Sequence, residues 1–257
     1  MLQIIADDLG LHQSINEGII YLFEKGYING ASLMVNGEAF NDAVENLKKF
    51  PAANIGIHLV LVEEKPLVLE KLAKNYKTFF IKYILGLIKL EAIEKELRAQ
   101  LNKCVRIGIK PTFINSHQHL HLLPAITNIV IKLAKEFSIP YIRIVREPIS
   151  LDSDKLFRQA QLLFLNFLSW RAKNKIIKAG LKCNDFFVGF LNAGNLSKSD
   201  IDLAFKLKNN YPNKTIELGC HPGFENHALI KKYGHWKYNW QGEINNLSES
   251  KDENTIS

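Results

Sequence analysis

The strongest constraint on this chain is an alternation. Short apolar runs take turns with longer stretches whose apolar residues recur at helical spacing, and the pattern persists from Leu2 to Cys220. Residues 2–6 read as a first strand. After them Ser14-Ile15-Asn16-Glu17 has the form of a capping box, and Ile15, Ile19, Leu22 and Phe23 share one helical face until Gly26 ends the helix. Residues 31–35, 54–61, 112–116, 139–145, 186–191 and 215–220 read as further strands. Phe40, Ala43, Val44 and Leu47 mark a helix between the second and third, and a longer helical insertion spans roughly 71–107. About seven strands alternating with helices predict an α/β protein with a parallel sheet, closed as a barrel or open and doubly wound.

With 257 residues, 47% of them hydrophobic, the chain can bury one large core, so a single domain over 1–247 is expected, with a polar, disordered tail at 248–257. The formal charge of +7 would suit an acidic partner, but the lysines are spread along the chain rather than gathered into one arm. No nucleic-acid partner is therefore expected. Cys104, Cys183 and Cys220 are odd in number and widely separated, which fits a reducing, cytoplasmic compartment. The N-terminus meets two aspartates at once and lacks the form of a signal peptide. The most apolar stretch, residues 162–168, is far shorter than the roughly 20 residues that span a bilayer. It reads as a buried helix segment, with an apolar groove or a peripheral membrane contact left open; a homodimer is left open as well.

Polar exceptions mark one end of this framework. Asp7 and Asp8 follow the first strand, His58 ends the third, His117 follows the fourth within Asn115-Ser116-His117-Gln118-His119-Leu120-His121, and His221 follows the seventh. In a parallel α/β fold these carboxyl ends share one rim, where barrel enzymes place their active sites. Each residue alone also has a plain structural role. Paired aspartates can cap a helix, a lone histidine is commonly a satisfied core residue, and a histidine before proline can sit in a turn. It is their shared position on one rim that points to chemistry.

Seven segments in order, "IIADDLG", "SINEGI", "SLMVNG", "NIGIHLVL", "PTFINSHQHLH", "YIRIVREP" and "ELGCHPGF", resemble the YdjC-like carbohydrate deacetylases over nearly the whole chain. "VREP" and the closing "YGHWKYNWQGEINNL" look closer to the hopanoid-biosynthesis-associated branch than to the chitooligosaccharide deacetylases. The resemblance implies a TIM-like (β/α) barrel with its active site at the C-terminal rim. It also implies one divalent metal ion, zinc before magnesium, nickel or cobalt, and removal of an N-acetyl group from an amino sugar carried on an oligosaccharide or glycolipid.

Carried over by residue, the resemblance makes Asp8, His58 and His117 the metal ligands, Asp7 the general base and His221 the general acid. His119 and His121 then support the ligands or contact substrate, and either can replace His117 as ligand. Arg143 contacts a carboxylate or a substrate oxygen, or forms a structural salt bridge. One departure is Asn115, where the family usually has aspartate, so a ligand could be less well oriented and the metal site weaker. The apolar residues of 156–168 exceed what one helical stripe requires, so this segment is expected to line or cover part of the cleft, as a lipid-bearing substrate would need. Two other classes stay open. The His119-x-His121 pair suits another barrel metal hydrolase, an amidohydrolase or phosphoesterase, and Asn115 makes a catalytically silent carbohydrate- or lipid-binding protein thinkable.

Overall fold

The computed structural model describes residues 1–149 and 155–254. Seven strands form one parallel sheet: β1 (Leu2–Leu9), β2 (Gly30–Leu33), β3 (Asn54–Leu59), β4 (Phe113–Ser116), β5 (Tyr141–Ile142), β6 (Phe186–Val188) and β7 (Ile216–Cys220). Their order is β5-β4-β3-β2-β1-β7-β6, every neighbouring pair is parallel, and β1 lies beside both β2 and β7. The strands are mostly buried because helices cover the outer face, so apolar residues dominate most of them rather than alternating with polar ones.

The sheet curls, and its edges meet across an irregular seam. There Ile142 N–H donates to the Lys182 carbonyl at 2.9 Å, and Phe187 N–H to the Arg146 carbonyl at 2.8 Å. Between these points the Asn184 amide bonds both the N–H and the carbonyl of Ile144, at 2.8 and 2.7 Å. A side chain thus replaces a strand at the seam. This is why the expected strand at 139–145 is regular only over Tyr141–Ile142.

The helices are α1 (Gln13–Glu24), α2 (Phe40–Leu47), α3 (Tyr76–Ile84), α4 (Leu90–Arg106), α5 (Pro124–Glu136), α6 (Leu156–Lys178), α7 (Lys198–Asn210), α8 (His227–Tyr233) and α9 (Trp240–Asn254). Three local expectations change. First, α1 is capped by His12, whose Nδ1 accepts from Ser14 N–H at 3.1 Å; Ser14 lies inside the helix and its hydroxyl accepts from Asn226 instead. The expected insertion is two helices, α3 and α4, separated at Gly86, whose φ of +67° suits glycine. Finally, α9 continues through positions 248–254 of the polar tail, and residues 255–257 lie outside the described residues. Among the described residues no helix is long and apolar enough to cross a membrane.

Candidate metal centre

Consecutive residues of a regular strand point to opposite faces, so two adjacent aspartates would ordinarily be split between inside and outside. Here the β1–β2 register breaks. Ala6 faces Ala31 and Leu9 faces Leu33, which leaves Asp7 and Asp8 together opposite Ser32. This bulge, with Asp8 at φ +66°, turns both carboxylates into the barrel mouth, where both are buried. Gly10 follows at φ +94°, and a Cβ there would lie 2.8 Å from the Met34 carbonyl, so only glycine permits the tight return.

The two aspartates have opposite surroundings. Asp7 is saturated with donors: Ser32 Oγ at 2.7 Å, Asn115 Nδ2 at 2.9 Å, and Arg143 in a two-pronged ion pair. Arg143 follows β5, is fully buried, and turns its Nε toward Glu217 of β7. Burial, the largest single influence, would raise Asp7, but the Arg143 guanidinium, aided by the nearby His58 and His221, holds the carboxyl well below the usual carboxylate range. Glu217, lacking the second prong, is pushed up by burial despite Arg143. Asp8, in contrast, has no hydrogen-bond donor on either oxygen.

What faces Asp8 is a pair of imidazoles. His58 Nδ1 lies 2.7 Å from Asn115 Oδ1, and Asn115 Nδ2 donates to Asp7, so the amide oxygen must be the acceptor and His58 Nδ1 carries the proton. The unprotonated Nε2 then points at Asp8 Oδ1, 3.3 Å away. His117 repeats the arrangement: its Nε2 donates to Glu63 Oε2 at 3.0 Å, and its Nδ1 faces the same Asp8 oxygen at 3.6 Å. Lone pairs converging on a buried carboxylate repel one another unless a cation or proton lies among them. Without a metal, a proton fills that role on His117. Burial opposes it, but Asp8 and Glu63 together raise His117 to about 10. Ligands about 2.0–2.1 Å from a tetrahedral ion sit roughly 3.3 Å apart, which matches these spacings. Asp8, His58 and His117 can hold a metal ion, and three ligands leave a position open for chemistry.

The remaining expected residues divide. His221 follows β7, anchors its N–H on the Glu243 carboxylate, rests against Tyr238 with ring centroids 5.1 Å apart, and has a buried Nδ1 without a partner. His119 packs between Phe187 and Phe190, and burial lowers its pKa well below the ordinary value. His121 turns inward: Nδ1 meets Ser116 Oγ at 2.7 Å, and Nε2 donates to the Arg143 carbonyl at 2.8 Å. It staples the turn after β4 to the strand that carries Arg143. Gln118 and His119 adopt left-handed φ values in that turn, which is how three histidines close in sequence point in three directions.

Four participants escape the sequence reading. Ser32 and Glu217 left a faint signal, each a lone polar residue in an otherwise apolar strand. Glu63 lies past β3 at φ +71°, in a loop whose course the sequence does not fix. Trp236 packs at a tilt against His117 at 5.2 Å and against Tyr238 at 5.5 Å between ring centroids, forming an aromatic wall between the His117 and His221 sides of the mouth.

Comparison with known proteins agrees with this architecture. The family model described as "YdjC-like protein" matches residues 1–255. A carbohydrate deacetylase of Brevibacillus brevis is 40% identical over 139 residues, 52% of this chain and 56% of that protein, so this match spans little more than half of the relative. A chitooligosaccharide deacetylase of Yersinia enterocolitica is 31% identical over 236 residues, covering 90% of this chain and 84% of that protein. Among solved structures, a putative cellobiose-phosphate cleavage protein of Enterococcus faecalis superposes with a TM-score of 0.74 at 20% identity, covering 98% of this chain and 92% of that one, a likeness of fold.

Proposed function

Because the chain belongs to the YdjC-like protein family, we propose that it is a metal-dependent hydrolase that removes the acetyl group from an N-acetylated amino sugar and releases acetate. The observation that carries this reading is the orphaned Asp8 carboxylate, buried, without a donor, and faced by two imidazoles whose other nitrogens are already engaged. A divalent ion held there, zinc being the best match to one carboxylate and two imidazoles, supplies electrophilic polarisation of an acetyl carbonyl and acidifies a water.

The protein's own groups do the rest. Arg143 keeps Asp7 ionised, so the carboxylate is ready to take a proton from the attacking water; its low basicity would be tolerable toward a water acidified by a cation held at Asp8, His58 and His117. An amine leaves poorly unless protonated, and in this reading the acid is His221, which follows β7, away from β3 and β4 in the sheet order. Asn115 and Glu63 fix the His58 and His117 rings from behind, and Trp236 with Tyr238 offers an apolar wall for one face of a sugar ring. The substrate is an oligosaccharide or a glycolipid, and three free cysteines suit a cytoplasmic setting.

The test is acetate release from N-acetylglucosamine oligomers and N-acetylglucosaminyl lipids, with and without added metal, beside the Asp7→Asn variant. That variant should retain its metal and lose about 10²- to 10⁴-fold in turnover. Loss of the metal would make Asp7 a ligand, and no acetate from any substrate would leave only a binding protein.

A further inference from the structure

Helix α6 is apolar on two opposite faces. One face, including Leu162, Leu168, Ala172 and Ile176, packs into the core. The other carries Leu156, Phe157, Leu163, Phe164, Phe167 and Trp170, each between 44% and 71% exposed. A helix apolar all round is normally buried all round. Of residues 156–168, expected to line or cover part of the cleft, Leu162 and Leu168 pack into the core and the excess apolar surface faces outward.

This face does not stand alone. Phe164 meets Phe80 of α3 with ring centroids 5.6 Å apart, and Gln161 donates to the Tyr76 hydroxyl at 3.1 Å, so α3 and α6 form one surface. The end of α3 adds Ile81 and Ile84, and the turn after it Leu85 and Leu87, all at least 58% exposed. Of the nineteen large apolar side chains exposed among the described residues, twelve lie on α6 or within 81–90. A concentration of this kind marks an interaction surface.

Charge selects the partner. Residues 71–90 and 155–184 contain twelve of the chain's 33 lysines and arginines and none of its 26 aspartates and glutamates. We propose that the α3–α6 face is a peripheral docking surface for an anionic lipid bilayer, with the phenylalanines and Trp170 entering the interface and the basic residues meeting lipid headgroups. Such a surface suits a helix that lies in the interfacial plane, and neither α3 nor α6 is able to span. A second copy of the chain is the poorer occupant, because a two-fold contact sets this face against itself and opposes two predominantly basic patches. The surface also adjoins the mouth of the barrel: Arg158 of α6 bonds the Phe190 carbonyl at 2.7 Å, and Phe190 packs on His119. Docking therefore places the site beside the headgroup layer. This inference stands on surface composition and does not depend on the deacetylase reading.

Co-sedimentation with vesicles tests it, comparing phosphatidylcholine mixed with phosphatidylglycerol against phosphatidylcholine alone. The full chain should sediment with the anionic vesicles, leave the neutral ones in solution, and be released by salt. A Phe157→Ser/Phe167→Ser/Trp170→Ser variant should lose vesicle binding with an unchanged circular dichroism spectrum. Should it misfold, Lys82→Ala and Arg171→Ala test the same surface without touching an apolar side chain, each lowering affinity about fivefold. Failure to bind either vesicle overturns the proposal, as does equal binding to both. A dimer in analytical ultracentrifugation that the triple variant dissolves also overturns it, by showing that a second copy covers the face.

Discussion

Replacing Arg143 by methionine removes the one buried cation between Asp7 and Glu217 while keeping an apolar side chain of similar length. Two carboxylates, both at most 2% exposed, then lose their shared partner. Breaking a buried pair from one side costs about 3–5 kcal/mol, and in a chain of this size 1 kcal/mol moves Tm by about 2–4 °C, so melting should fall by roughly 6–20 °C. The pH dependence should change sign. In the native chain the Asp7 pKa lies below its ordinary 3.8, so its contribution to stability is present above pH 3.8 and is lost only as pH falls through the depressed value. In the variant, burial, already the largest single influence on Asp7 and one that raises its pKa, is no longer opposed by the guanidinium. Asp7 then favours its neutral form, and stability falls as pH rises above 3.8. The same shift should move the acid limb of kcat/KM upward in pH, because the base must first lose a proton. Differential scanning calorimetry across pH and a pH–rate profile measure the two effects. Adding Glu217→Gln should restore about 1 kcal/mol or more by removing one stranded charge. A melting point within about 2 °C of native, or an unmoved acid limb with activity retained, would refute the account of Arg143 as the group that sets the state of Asp7.

His58→Ala and His117→Ala should each strip the metal while leaving a folded chain; full occupancy by elemental analysis in both would end the ligand assignment. Glu63→Gln, which weakens the hold on His117 Nε2, should lower metal affinity by about 10- to 100-fold in a chelator competition, and an unchanged affinity would make Glu63 a bystander. His121, buried and neutral, has its pKa lowered from 6.5 to about 4, so its contribution is complete above pH 6.5 and is lost as pH falls toward 4. Urea unfolding should show about 3 kcal/mol of this loss in the native chain and not in His121→Gln, and parallel curves for the two would contradict it.

Most of the architecture was legible because it rests on periodicity. Apolar strands and one-faced helices leave their spacing in the sequence, and the parallel run of the seven strands follows from their alternation with helices. Two features were hidden for a physical reason. The start of α1 depends on an imidazole acting as cap, whereas Ser14, which has the cap-like spacing, is drawn to Asn226 across the fold. The doubled apolar character of α6 signals burial on both faces, and sequence alone has no means of telling which face the rest of the chain reaches. Within the site, the carboxyl-end histidines were visible by position. Their supporting groups were not, since Ser32, Glu63 and Glu217 act through contacts 54 or fewer residues away for the first two and 74 for the third, none of them local.

Asn115 shows how the departure from the family pattern fits this particular mouth. Its side chain must satisfy two neighbours of opposite need: His58 Nδ1, which has a proton to give, and Asp7 Oδ1, which has lone pairs to fill. An amide serves both at once, with its oxygen toward the imidazole and its nitrogen toward the carboxylate. An ionised aspartate at this position would still accept from His58, but would set a second negative charge 2.9 Å from Asp7 with no proton between them. The amide therefore gives up some of the basicity that a carboxylate lends to a ligating imidazole, and in exchange leaves Asp7 with Arg143 as its only charged hydrogen-bond partner. That exchange is what sharpens the contrast within the aspartate pair. Asp7 is held by donors on every side and cannot easily turn toward a cation, while Asp8, one residue on and rotated by the bulge, accepts no hydrogen bond and faces the His58 and His117 imidazoles. Adjacent groups of one chemical type are thereby given opposite surroundings.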